Sequence, residues 1–195
     1  MSHLDSFLFS CINATAHAPA WLLALARWLS TDLPVLAMLC ILPLVLAGPA
    51  ARRQWAGTCL AMALAWLAVR GIREAVHVPR PFELGLGRQW LAHAATSAFP
   101  SFHAAVAGAW ACGLALFAAK HGRWWWTVAG SAALAVAWSR VFLGLHFVSD
   151  VTAGLMLGAA CALSARQVFA WLGWRHAALP APRPARGLAA PIQNA

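Results

Sequence analysis

Apolar residues run through this chain in long blocks, and charged residues, Pro and Gly are confined to short clusters between them. Breaking the sequence at those clusters predicts six helices, at roughly 15–30, 33–49, 55–70, 102–119, 124–139 and 148–172. Several of the charge-free cores hold only about 15 or 16 residues, or about 24 Å at 1.5 Å per residue. A hydrocarbon layer is about 30 Å thick, so flanking polar residues must enter its interface. The expected fold is all-α, a polytopic membrane helix bundle with about six transmembrane helices. An even number of spans would put both termini on one side. A buried helical core in a soluble protein is the alternative, but six such segments leave nothing polar to cover them.

Composition agrees with the membrane reading. Of 195 residues, 62% are apolar and 10% charged, against about 25% charged in soluble domains. The net charge of +9 would suit nucleic acid, yet the cations are dispersed between apolar runs and form no basic face, so no nucleic-acid partner is expected. Cys11, Cys40, Cys59, Cys112 and Cys161 form no CxxC pair and lie in largely uncharged stretches, where a reduced thiol packs as a small hydrophobe. Residues 1–7 lack the cations of a signal peptide, so the first apolar segment is expected to remain as an anchor. A single membrane-embedded domain is expected over 1–179. Residues 180–195, rich in Pro, Ala and Arg, read as a disordered cytoplasmic tail.

Cations on alternate connections set the orientation. Arg52, Arg53, Lys120, Arg123, Arg175, Arg183 and Arg186 fall on one side, expected to be cytoplasmic. Trp124, Trp125, Trp126, Trp171 and Trp174 read as an aromatic belt at that interface. The other side holds the unusual residues: Arg73 and Arg80-Pro81, then Pro100-Ser101-Phe102-His103, then Ser139-Arg140, His146 and Asp150. Ionisable groups at membrane depth cost about 2.5–3.5 kcal/mol each on insertion scales, so cations gathered at three helix ends call for an anion. Phosphate is the natural one.

Arg73, Arg80 and Arg140 offer planar forks that match phosphate oxygens. Ser101 and the backbone N–H groups at the start of the fourth helix add an anion site at a helix terminus. His146 and Asp150, four apart, share a face if the sixth helix begins near Leu145. A carboxylate accepting the Nδ1 proton would leave Nε2 bare for covalent attack. His103 on the first helical turn suits a general acid. Alone, a His four residues before an Asp is more often a helix-start hydrogen bond; the arginines favour chemistry. Residues 84–98, with Trp90 and Leu91 beside Arg88, read equally as an interfacial lid or as loop.

Taken together, Arg73-x6-Arg80-Pro81, Pro100-Ser101-x-His103 and Ser139-Arg140-x5-His146-x3-Asp150 resemble the signature of the type 2 phosphatidic acid phosphatase superfamily, KxxxxxxRP, PSGH and SRxxxxxHxxxD. The resemblance implies a six-helix bundle and a metal-independent site without a cofactor. It also implies a phosphohistidine on His146, Asp150 as its orienting partner, His103 as acid, and Arg73, Arg80, Ser101 and Arg140 as phosphate ligands. Arg73 stands where the family usually has Lys, and Phe102 where it usually has Gly. Arg80-Pro-Phe-Glu, Trp90-Leu-Ala-His93 and Ala98-Phe99-Pro100-Ser101-x-His103 are similar to the bacterial undecaprenyl-diphosphate phosphatases. The implied activity is hydrolysis of a lipid phosphate or diphosphate at the outer face of a bacterial inner membrane, undecaprenyl diphosphate first among the substrates. Transfer to a lipid hydroxyl, a phosphatidylglycerophosphate or phosphatidic acid substrate, and a silent lipid-binding protein are the alternatives.

Overall fold

A computed structural model describes residues 3–118 and 121–172, and every regular element among them is helical. In order these are α1 (His3–Ile12), α2 (Ala20–Cys40), α3 (Pro49–Ala75), α4 (Phe102–Phe117), α5 (Gly122–Phe142) and α6 (Val148–Trp171). Short 3₁₀ turns occupy Leu42–Val45 and Pro81–Leu84. Ala20–Val45, Pro49–Ala75 and Val148–Trp171 are long and apolar enough to cross a membrane, and α4 is a shorter apolar helix. Leu36, Leu39, Leu67, Leu134, Met156 and Leu163 point outward. Such a surface is at home in hydrocarbon, where a helix satisfies its own backbone.

Six helices are present, but not as six spans. The segments expected at 15–30 and 33–49 are one helix, α2, which runs through Pro34 and ends in the 3₁₀ turn. A proline inside a helix removes one backbone donor, and membrane helices tolerate this where local polar groups compensate. The helix not foreseen is α1, whose ten residues span about 15 Å, too short to cross. The other five helices alternate in direction, so α1 lies at the end of the bundle where α6 begins, and α6 finishes at the other. Among the described residues, then, the two ends of the chain lie at opposite ends of the bundle, where six spans would have put them on one side. Lys120, Trp174, Arg175, Arg183, Arg186 and the expected tail at 180–195 lie outside the described residues.

Helix α4 is the axis, packed between α3, α5 and α6. Its contact with α6 is close because both helices present small residues there. A Cβ on Gly154 would meet the Ser101 carbonyl and Ala104, and small residues are what let membrane helices approach. Ala61, Leu114, Phe117, Ala162 and Phe169 fill the core toward one end. At the other end α3 and α5 finish and α4 and α6 begin, which brings Arg73, Ser101, Arg140 and Asp150 to the same level. Arg52, Arg53 and Arg123 start α3 and α5 at the opposite end.

Candidate active site

Arg80 is the centre of the polar cluster and is fully buried. Its Nε donates to the Thr96 carbonyl at 2.8 Å, and Nη2 to Thr96 Oγ1 at 3.1 Å. Nη1 donates to the Leu145 carbonyl at 2.9 Å and lies 3.2 Å from His146 Nε2. These bonds fix the fork across two loops, one before α4 and one before α6. Burial and the neighbouring Arg73 lower its pKa to about 10, so it stays charged at neutral pH.

His146 occupies the short loop between α5 and α6 and is 1% exposed. Burial pushes its pKa well below 6.5, and Arg80, Arg140, Arg73 and His103 push in the same direction, so the ring is neutral. Asp150 Oδ2 stands 3.4 Å from Nδ1. The pair is close but not aligned as a hydrogen bond, and Nδ1 has no such partner among the described residues. That carboxylate oxygen accepts instead from the Phe147 N–H at 2.9 Å, capping the start of α6. The Ser101 N–H donates to the Asp150 carbonyl at 3.0 Å and locks the starts of α4 and α6 together.

Arg140 is 2% exposed and donates from Nη1 to Ser30 Oγ at 2.6 Å. Its Nε and Nη2, and the hydroxyl of fully buried Ser101, have no hydrogen-bond partner among the described residues. Unpaired buried donors are costly, and these three belong to the same end of the bundle as His146. Arg73 donates to the Pro100 carbonyl from Nε at 3.0 Å and Nη2 at 2.8 Å, which ties α3 to the Ser101 turn. His103 is half-buried on the first turn of α4, its ring edge-on to Phe102 at 5.8 Å. All seven residues singled out in the sequence thus meet at one end of the bundle.

Sequence reasoning missed the residues that hold the seven in place. Thr96 and Ser30 anchor two arginines through contacts that join distant stretches, and a lone Thr or Ser carries no pattern to reveal this. Gly144, at φ 78°, belongs to the His146 loop and lies where a Cβ would strike the Arg88 carbonyl and Asn13. Residues 84–98 are loop, pinned where the Trp90 N–H donates to Leu143 and Arg27 donates to the Trp90 carbonyl.

Residues 54–174 match the PAP2 superfamily, which is well over half the chain. The chain belongs to the PAP2 superfamily. A protein of Escherichia coli (strain K12) named "Putative undecaprenyl-diphosphatase YbjG" is 32% identical over 174 residues, 89% of this chain and 86% of that one. The fold of this PAP2 protein is also that of two solved structures. Aquifex aeolicus LpxE aligns with TM-score 0.68 and 20% identity, over 85% of this chain and 96% of its own. The first transmembrane PAP2 type phosphatidylglycerolphosphate phosphatase from Bacillus subtilis aligns with TM-score 0.66 and 22% identity, over 87% and 86%. With such relatives and its apolar perimeter, this PAP2 chain is an integral membrane protein of a lipid phosphatase family.

Two recesses adjoin the site. A cavity of about 540 Å³ runs between α2, α3, α4 and α5, lined by Pro34, Met38, Met62, Val106, Trp110 and Val136 among others, with His103 and Phe102 at its head. A second, of about 570 Å³, opens beside Arg73, Thr96 and Ser97. Trp66 and Phe102 line both, so these two rings form the wall between an almost wholly apolar slot and a polar recess.

Proposed function

We propose that this protein hydrolyses a lipid phosphate or diphosphate through a phosphohistidine on His146, with undecaprenyl diphosphate as the substrate and undecaprenyl phosphate as the product. The observation that carries the reading is the neutral, buried imidazole faced by Arg80 at the end of the bundle that also holds the unpaired donors of Arg140 and Ser101. The slot at His103 supports a substrate with a hydrocarbon chain, and the name of the Escherichia coli relative supports the prenyl diphosphate.

In this mechanism the Nε2 lone pair attacks the terminal phosphorus, and the bond to the bridging oxygen breaks. His103, held as the imidazolium by the bound phosphate, gives that oxygen its proton and is left neutral, and undecaprenyl phosphate leaves. Water then attacks the phosphohistidine, its proton passes to His103, and inorganic phosphate is released with Nε2 restored. Arg73, Arg80, Arg140 and the Ser101 hydroxyl hold the equatorial oxygens, where the charge lies in the transition state. These cations supply the neutralisation with no metal ion. Asp150 steadies the imidazole from the Nδ1 side. Arg52, Arg53 and Arg123 at the opposite end favour a cytoplasmic position for that end, which turns the site to the outer face of the bacterial inner membrane.

The test is release of inorganic phosphate from undecaprenyl diphosphate by the purified protein, with chelator present, beside His146→Ala. Release by the wild type alone is the expected result. Lipid-to-lipid transfer in place of release would make the protein a phosphotransferase, no turnover would leave a silent lipid binder, and wild-type turnover by His146→Ala would remove the nucleophile.

A further inference from the structure

Helix α1 lies outside the matched region 54–174, yet it rests against the loop that carries His146. Asp5, Phe9 and Asn13 recur every four residues, which puts them on one face of α1 and its C-terminal extension. Each meets a different point of 142–149. The Asp5 carboxylate, 8% exposed, accepts both the backbone N–H of Ser149 at 3.1 Å and the Ser149 hydroxyl. The Phe9 ring stands edge-on to Phe147 at 5.3 Å, both buried. Asn13 Nδ2 donates to the Phe142 carbonyl at 3.1 Å, and the Ala14 N–H donates to the same oxygen at 3.0 Å. Asn13 also accepts from the Arg88 N–H at 2.8 Å and so joins the pinned loop to the same brace.

The start of α6 therefore receives two carboxylates. Asp150 takes the Phe147 N–H from within the helix, and Asp5 takes the Ser149 N–H from another helix. The first N–H groups of a helix lack internal partners and sit at the positive end of its dipole, so both carboxylates hold the helix start in place. A ten-residue helix is marginal by itself. Burial of this one face against 142–149 stabilises α1, and the same contacts cover the nucleophile loop from outside the bundle.

We propose that α1 is a brace for the nucleophile loop and that Asp5 is a positioning residue, acting through Ser149 on Asp150 and His146. The catalytic half of this proposal rests on His146 being the nucleophile. Displacing a reacting group by about 1 Å can cost about a hundredfold in rate, so a modest slackening of the loop falls on turnover and not on binding.

The test uses the full-length protein in lipid nanodiscs, comparing wild type with Asp5→Ala, Asp5→Asn, Ser149→Ala and the Asp5→Ala/Ser149→Ala pair. Two measurements are made: backbone amide exchange, and kcat and KM on undecaprenyl diphosphate. Asp5→Ala is expected to speed exchange at 145–150 while α3 and α4 keep wild-type protection. It is also expected to lower kcat by about tenfold with KM within about twofold. Asp5→Asn, whose amide oxygen still accepts from Ser149, recovers most of the rate. The second substitution adds little to the first, as coupled partners do. Unchanged exchange at 145–150, or faster exchange throughout the bundle, overturns the brace, and faster local exchange with wild-type kcat overturns the positioning role. If Asp5→Ala yields no folded protein, Asp5→Asn and Ser149→Ala are read in the same two ways, and wild-type values in both overturn the proposal. A wild type that turns over no lipid phosphate sinks the hydrolase reading, and the exchange data still decide the brace.

Discussion

Arg80 Nη1 lies 3.2 Å from His146 Nε2, and a guanidinium has only donors, so the imidazole accepts there and carries its proton on Nδ1. The tautomer that the proposed mechanism requires is thus set by an arginine, with the Asp150 carboxylate close to the far nitrogen but not hydrogen-bonded to it. The same N–H covers the lone pair that attacks in the proposed mechanism. Binding a phosphoryl group offers Arg80 a charged acceptor, and moving the N–H onto a phosphoryl oxygen frees Nε2 and clamps the substrate in one step.

Replacing Arg80 by Lys tests this double role. Lysine keeps the charge but loses the fork, and with it the simultaneous bonds to Thr96, Leu145 and His146. Losing one preorganised donor costs about 100- to 1000-fold in kcat, so Arg80→Lys is expected to lower kcat/KM at least a hundredfold. Near-normal steady-state kinetics would reduce Arg80 to a point charge.

The Asp150 contact predicts a milder effect. Since the carboxylate stands 3.4 Å from Nδ1 and Arg80 also fixes the tautomer, Asp150→Asn should lower kcat by about 10- to 100-fold, less than the ~10⁴-fold loss in a serine protease triad. The asparagine oxygen still caps the Phe147 N–H, so folding and KM should change little. A triad-sized loss in kcat would make Asp150 the sole orienting group, and a large rise in KM would place it among the phosphate ligands.

The pH dependence follows from the surroundings of His146. Burial and nearby cations disfavour the imidazolium, so the neutral nucleophile is the dominant form until the pH falls below the ordinary histidine range. As pH rises through its lowered pKa the ring loses its proton and gains activity. The acid limb of kcat/KM should therefore have its midpoint below pH 6.5, measured on the purified enzyme with substrate below KM. A midpoint above 6.5 would show that the Asp150 carboxylate outweighs burial and the cations at His146.

The seven candidate residues could be singled out in the sequence because charge is expensive within apolar runs. Arg140 and Asp150 lie in apolar helices and Arg80 and His146 in the short connections beside them, where charge stands out, and their spacing carried a family signature. The helix count was less legible. Thr31, Asp32 and Pro34 look like a break when read along the chain, yet α2 continues through all three to Cys40. Asp5, Ser30, Thr96 and Asn13 left no trace, because each acts through a partner 16 or more residues away. Tertiary contacts of single Ser, Thr, Asn and Asp side chains have no period to detect.

The departure at Phe102 yields the last prediction. Its ring is part of the wall between the apolar slot and the polar recess, so a chain entering the slot meets it next to His103. Full burial of a phenylalanine side chain is worth about 1.5–3 kcal/mol, and a ring engaged on one face contributes about half of that. Phe102→Gly is therefore expected to lower kcat/KM for undecaprenyl diphosphate about tenfold. A chainless ester such as p-nitrophenyl phosphate never reaches the slot, so its kcat/KM should move by less than about threefold, the remainder reflecting the weaker helix start that glycine gives α4. The ratio of the two substrates is the measurement. Equal losses on both would mean that the ring only supports the Ser101 turn, and a gain on the long lipid would mean that it obstructs the chain.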